Sequence, residues 1–338
     1  MVREPVARCA STSPRDDVGL DDYADAAIGL VARVDGTDAV AVVVYTDDDP
    51  QPTRDGLVLP LAVAVDEVLG RADAVGLRIV DALCVSPAGW SSYLDDDPVI
   101  RALDREAPPV PGVGDVSGDH LSGAGLAKVD LAEKERVGRA MAELTELLET
   151  SSARGLPDIA NPQAIAALVL LEDLPAFFES LLASPHDVPA FATAALLWCL
   201  DRPLFRDVAL TQWATDVVGG VRTLDAQLAF AGTGVGFPAD LGDVFLGRGP
   251  DPDPERLRLA LTLVRFAASR APRASRPAPL TAAAWLSWAL GRSSHAAHYL
   301  DLVREIDPEY GLAALIETLI SAAVLPEWAF RRGAAAAT

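Results

Sequence analysis

Leu20, Tyr23, Ala24, Ala27, Ile28, Val31 and Val34 recur at helical spacing behind Asp16 and Asp17, and predict an amphipathic helix over 20–34. Gly36 supplies its left-handed stop. AVAVVVYT, 39–46, is an unbroken β-branched run and predicts a strand buried on both faces, the kind found in a parallel sheet. DDDPQPTRDG, 47–56, reads as a loop. Leu59, Leu61, Val65, Val68 and Leu69 predict a second helix over 58–72, with Asp66, Glu67 and Arg71 turned outward. LRIVDALCV (77–85) reads as a second strand, SPAG (86–89) as a turn and WSSYL (90–94) as a short third strand. The expectation is a β-α-β unit with an appended hairpin.

Beyond residue 98 the pattern changes. Residues 98–128 are rich in Pro and Gly, with a short helix predicted near 119–127. From there the apolar spacing is helical throughout. Helices are predicted near 131–151, 162–182, 187–200, 204–217, 238–246, 253–269, 280–291, 294–306, 309–322 and 325–332. Pro175 interrupts one of these patterns and predicts a kink or split. Pro162, Pro189 and Pro254 suit first turns, whereas Pro203 and Pro272 mark stops. Residues 267–279 read as an Ala/Pro-rich linker, and Arg265, Arg270, Arg273 and Arg276 around it as a solvated or acid-pairing patch. The predicted organisation is a polar disordered tail (1–17), an α/β portion (18–128) and a helical bundle (129–333). The fold class is thus α+β or α/β: a small β-α-β sheet portion followed by an all-α bundle. Within 280–323, Trp285, Trp288, Ala296, Leu300, Val303 and Pro308 follow the grammar of one tetratricopeptide-like helix pair.

Composition narrows the function classes. The 338 residues carry 28 Lys and Arg against 49 Asp and Glu, a formal net charge of −21. A chain this acidic is expected to be a poor non-specific binder of nucleic acid or anionic membrane, since both need clustered cations. Cys9, Cys84 and Cys199 are widely spaced and form no CxxC, so neither a disulfide framework nor a zinc site is expected. MVREPVARCASTSPRDD contains no apolar signal region, and no stretch approaches 18 uninterrupted apolar residues. A cytoplasmic protein is expected.

The most informative local chemistry is a near-duplication. Tyr45-Thr46-Asp47-Asp48-Asp49-Pro50 follows one strand, and Tyr93-Leu94-Asp95-Asp96-Asp97-Pro98 follows another. Ligands in open α/β sheets collect beyond the carboxyl ends of strands. If the loops converged, Asp47, Asp48, Asp95 and Asp96 would be candidate ligands for Mg²⁺ or another hard cation. Tyr45, Thr46 and Tyr93 would then orient a substrate. Against this, 90–94 is expected to run antiparallel to 77–85, which sends Asp95–Asp97 to the opposite end of the sheet. Gly112, Gly114 and Gly118, like Gly232, Gly234 and Gly236, lack the strand-to-helix setting of a phosphate cradle and read as connectors. His295 and His298 share a helix face without further ligands, and His120 stands alone. His186 in SPHD reads as a helix-start residue. Trp198, Trp213, Trp285 and Trp288 are predicted core residues, while Trp90 and Trp328 have polar flanks. No GxSxG or Cys-His signature supports acyl transfer.

Tyr45-Thr46-Asp47-Asp48, Trp90 with Ser92-Tyr93-Leu94, LFRDVALTQWA and the segment from PLTAAAWLSWALG to GLAALIETLI together resemble an uncharacterised actinobacterial family, the domain-of-unknown-function family numbered 4192. The resemblance spans about 38–328 and is weakest over 100–200. It implies a further strand-forming segment ahead of the first helix, where this chain has a polar tail, and it brings no activity with it. The open edge of so small a sheet suggests homodimerisation. The preferred expectation is a non-enzymatic module for a protein or peptide partner. The alternative is a metal-assisted hydrolase or phosphate-handling enzyme built on loops 47–49 and 95–97.

Overall fold

A computed structural model describes residues 13–14, 18–54, 56–103, 121–154, 161–322 and 324–331. The tail expected over 1–17 lies outside these residues apart from 13–14, as do Cys9, Gly112, Gly114, Gly118 and His120. The described residues form two compact units. One holds the chain up to 103 with Phe330 and Arg331, and the other holds 121–329.

In the first unit, α1 (Leu20–Ala32) precedes β1 (Ala39–Tyr45), and Gly36 at φ 69° makes the left-handed stop. A small hairpin follows, β2 (Gln51–Thr53) paired antiparallel with β3 (Gly56–Val58), where a plain loop is expected. The hairpin closes partly through Thr53, whose hydroxyl donates to the Gly56 carbonyl at 2.8 Å. Next come α2 (Ala62–Ala74), β4 (Arg78–Ser86) and β5 (Gly89–Ser92). The main sheet has the order β1-β4-β5, with β1 and β4 parallel and β5 antiparallel to β4. A register shift between Val40 and Ala41 leaves Val80 as an extra residue in β4.

Both helices cover one face of this sheet. Ala24 and Ile28 of α1 meet Val68 and Ala72 of α2 over Val40, Val42 and Ile79. Val65 and Leu69 then pack with Ala82 over Val42, Val44 and Tyr93. The expectation of a first strand buried on both faces is overturned: Val43 is 44% and Tyr45 78% exposed. β-branched residues on the outer face extend the apolar run without recording that both helices lie on the inner one. Phe330 closes the unit at the far end of α1, where its carbonyl accepts from Asp35 N–H at 2.8 Å and its ring carries the Arg33 guanidinium.

The second unit is all-helical among its described residues: α3 (Leu131–Arg154), α4 (Pro162–Leu170), α5 (Leu174–Leu182), α6 (Ala190–Leu200), α7 (Pro203–Ala214), α8 (Val217–Thr233), α9 (Ala239–Phe245), α10 (Pro254–Arg270), α11 (Pro277–Ala289), α12 (Ser293–Arg304) and α13 (Gly311–Ser321). Pro175 does split 162–182, since Asp173 caps the new helix α5 by accepting from Ala176 N–H at 3.0 Å. Four readings are corrected. Pro203 opens α7, because a first-turn proline gives up no helical donor. Pro277 and Pro279 likewise sit in the first turn of α11, so 277–279 is helix and not linker. Over 121–127 there is a turn and no helix. Where a helix is predicted over 325–332, the described residues 325–331 give only a 3-10 turn, Glu327–Phe330.

Every residue of α11 is buried, the signature of a central helix that is apolar all round. Its tryptophans still satisfy their N–H groups: Trp285 donates to Phe245 O at 3.3 Å and Trp288 to Val324 O at 2.7 Å. Residues 121–126 belong with these helices because Tyr299 donates to Ala124 O and Arg265 to Gly125 O. Arg270, only 4% exposed, is the acid-pairing member of the arginine group. It meets Glu133 of α3 and donates to Val188 O and Thr193 Oγ1, each at 2.6 Å. Among the described residues, no helix is long and apolar enough to cross a membrane.

Candidate functional site

Tyr45 ends β1 opposite Val85, and Thr46 continues the pairing by donating its N–H to Val85 O at 3.0 Å. The chain then turns. Asp48 N–H donates to Thr46 Oγ1 at 3.1 Å, a local turn of the kind Ser and Thr favour. Asp49 Oδ1 accepts from Ala88 N–H at 3.2 Å, which ties this loop to the β4–β5 turn. Asp47, Asp48 and Asp49 all face solvent.

The second triplet leaves the sheet elsewhere. β5 starts with Gly89 opposite Ser86 and runs back to Ser92 opposite Leu83, so Asp95–Asp97 emerge away from the Tyr45 end. Asp95 pairs with Arg101 at 3.2 Å. Asp97 lies by the β2–β3 hairpin, with Oδ1 3.8 Å from where a Cβ on Gly56 would stand. The two triplets thus follow strands that run in opposite directions, since β1 is parallel to β4 and β5 antiparallel to it. Among the described residues no three His, Cys, Asp or Glu side chains are placed to hold a metal ion.

Tyr93 is engaged in structure. Its hydroxyl donates to Pro60 O at 2.6 Å, and its ring packs in the Val65, Leu69 and Ala82 cluster. Burial first, then Cys84 beside it, pushes the phenol well above the ordinary tyrosine range. It stays a neutral donor that anchors the entry to α2. His295 and His298 are half-buried on α12, and His186 stands in the α5–α6 loop with its ring 6.3 Å from that of Phe266 and nearly perpendicular to it.

The surface that individual motifs do not reveal is the outer sheet face. Side chains paired across a sheet share a face, so Val43 goes with Leu83, and Tyr45 with Val85 and Trp90. Ala41 stands before them opposite Asp81. Trp90 is half-buried because Arg101, bridged to it through the backbone, lies over its ring at 4.8 Å. Residues 99–101 thereby occupy the outer edge of β5. Among the described residues nothing pairs with the outer edge of β1. The alternation within AVAVVVY was the signal for this face, but it is hidden because inward and outward positions are equally apolar. No protein-family model matches this chain, and neither a curated protein nor a solved structure matches it.

Proposed function

We propose that this chain is a non-enzymatic protein-interaction module. The observation that carries the reading is the open apolar face of the β1-β4-β5 sheet, with Val43 and Tyr45 exposed beside Leu83, Val85 and Trp90. Sheets with parallel pairs are normally covered on both faces, and a contiguous apolar patch on a folded domain marks a place where something binds. The hydrolase reading has no such observation behind it: among the described residues no three His, Cys, Asp or Glu side chains are grouped to hold a metal ion. The tetratricopeptide-like character of α11 and α12 belongs to the same proposal. It is supported by the short link through Leu290, Gly291 and Arg292 and by the burial of Ala296, Leu300 and Val303. Membership of the 4192 family is likewise proposed, on the motifs at 45–48 and 90–94.

A photo-reactive phenylalanine analogue in place of Tyr45 tests the module reading in cells that express the chain. We expect discrete adducts that vanish when Val43→Asp is added, and none from the same analogue at Val75, an exposed position at the end of α2. Adducts that are equal at both positions, or indifferent to Val43→Asp, reject the reading. Calorimetry with Mg²⁺, Mn²⁺ and Ca²⁺ tests the competing one: binding lost in Asp47→Asn/Asp48→Asn would favour the enzyme.

A further inference from the structure

Resting on the module reading, we propose that the open sheet face receives one cationic amphipathic helix of a partner protein. Three arguments converge on this occupant. The first is size. Three strands spaced about 4.8 Å apart give a face about 10 Å across, the diameter of one helix with its side chains. A helix on each face of such a sheet is the standard layered solution, and here α1 and α2 fill only one side.

The second argument is chemistry. Ala41, Val43, Leu83 and Val85 offer methyl groups and Tyr45 an exposed ring, with Trp90 under Arg101 at the margin and no row of free backbone donors on the face itself. That favours an apolar helical stripe over an added strand.

The third is charge. Residues 18–103 contain sixteen acidic and five basic residues, a net −11 of the chain's −21. Asp38 and Asp81 lie toward one end of the face, and Asp47 and Asp48 toward the other. Of the basic residues in the main sheet or bridged to it, Arg78 opposes Ala39, and Arg101 is already held by Asp95 and Trp90. A helix seated on the apolar strip therefore meets carboxylates at both ends, and Lys or Arg on its flanks would pair with them. The same charge opposes a second copy of this chain, which would bring a second net −11 against the first, and it opposes anionic lipid.

The test uses the full chain and two labelled peptides of about 16 residues, matching the roughly 23 Å of a seven-residue strand. Both carry leucine at helical spacing, and the remaining positions are lysine in one and glutamate in the other. Fluorescence anisotropy should show the Leu/Lys peptide binding at least tenfold more tightly than Leu/Glu. Val43→Asp and Val85→Asp should each weaken Leu/Lys binding tenfold or more, although both make the protein more acidic. Circular dichroism confirms the fold of each variant, and Tyr45→Ala, at an exposed position, provides a milder one expected to weaken binding in the same sense. Equal binding of the two peptides overturns the proposal. So does unchanged or tighter binding to Val43→Asp, which is what mere adsorption to an acidic protein predicts. A dimer in light scattering that Val43→Asp dissolves would also overturn it, by making a second copy the occupant. Face-specific adducts at Tyr45 without Leu/Lys binding would reject the cationic helix and leave the module standing. Absence of both would reject the two together.

Discussion

At Gly220 the α7–α8 contact leaves no room for a side chain: an added Cβ would stand 2.8 Å from Gln212 Cδ and 2.9 Å from Gln212 Cβ, both buried. Gly232, in the same helix, has nothing within 4 Å. Gly220→Ala should therefore cost about 1–3 kcal/mol by overpacking, whereas Gly232→Ala should be neutral or stabilising by up to about 1 kcal/mol. Urea denaturation of the two variants checks the contrast. Gln212 matters for a second reason: its amide donates to Pro175 O at 2.8 Å and to Glu179 Oε2 at 3.0 Å. Glu179 also takes both guanidinium ends of Arg256, and that pairing holds its carboxyl below the usual glutamate range. A depressed carboxylate stabilises above its unfolded pKa and loses that contribution as pH falls through the folded one. The Tm gap between wild type and Glu179→Gln should thus be full at pH 7, shrink below about pH 4 and close in stronger acid.

α8 shows how an element forms where its own sequence argues against it. Gly219 and Gly220 near its start and Gly232 near its end lower helix propensity, and no helix is predicted between 217 and 238. Asp216 starts it, accepting from Gly219 N–H at 2.8 Å, and Gly234 ends it at φ 70°. Replacing that cap by Asp216→Ala should cost about 1 kcal/mol, read as a lower Tm and faster amide exchange over 217–223. The small residues that weaken α8 in isolation are those that let it approach α7, a tertiary gain invisible to propensity. α10 was legible, because its Leu, Val and Ala recur at helical spacing and Asp253 and Pro254 mark its start, whereas the β2–β3 hairpin carries no such pattern. The candidate site was less so. The antiparallel return of WSSYL is legible in the sequence, and the structure pairs Gly89–Ser92 with Ser86–Leu83 in that sense. That Val43 and Tyr45 would remain bare depends on where α1 and α2 dock, which a uniformly apolar strand does not encode.

Across the whole molecule, charge is distributed unevenly: residues 18–103, about a quarter of the chain, hold about half of the net −21. The helical unit instead spends arginines internally, as Arg270 with Glu133 and Arg256 with Glu179 show. The uneven distribution bears on how the first unit stays dispersed. β1 is seven uncharged residues of high strand propensity, and among the described residues its outer edge has no partner. Such a segment is a template for fibril growth unless charges flank it. Asp38 stands immediately before β1, and Asp47, Asp48 and Asp49 follow just beyond Thr46. Each further chain stacked on that edge would bring another triplet within a few ångströms of the last. Neutralising the triplet as Asp47→Asn/Asp48→Asn/Asp49→Asn should therefore shorten the lag of thioflavin-positive aggregation at neutral pH, while leaving helical circular dichroism of the fresh protein unchanged. The carboxylates on either side of β1 are thus the electrostatic guard that keeps one copy from extending another.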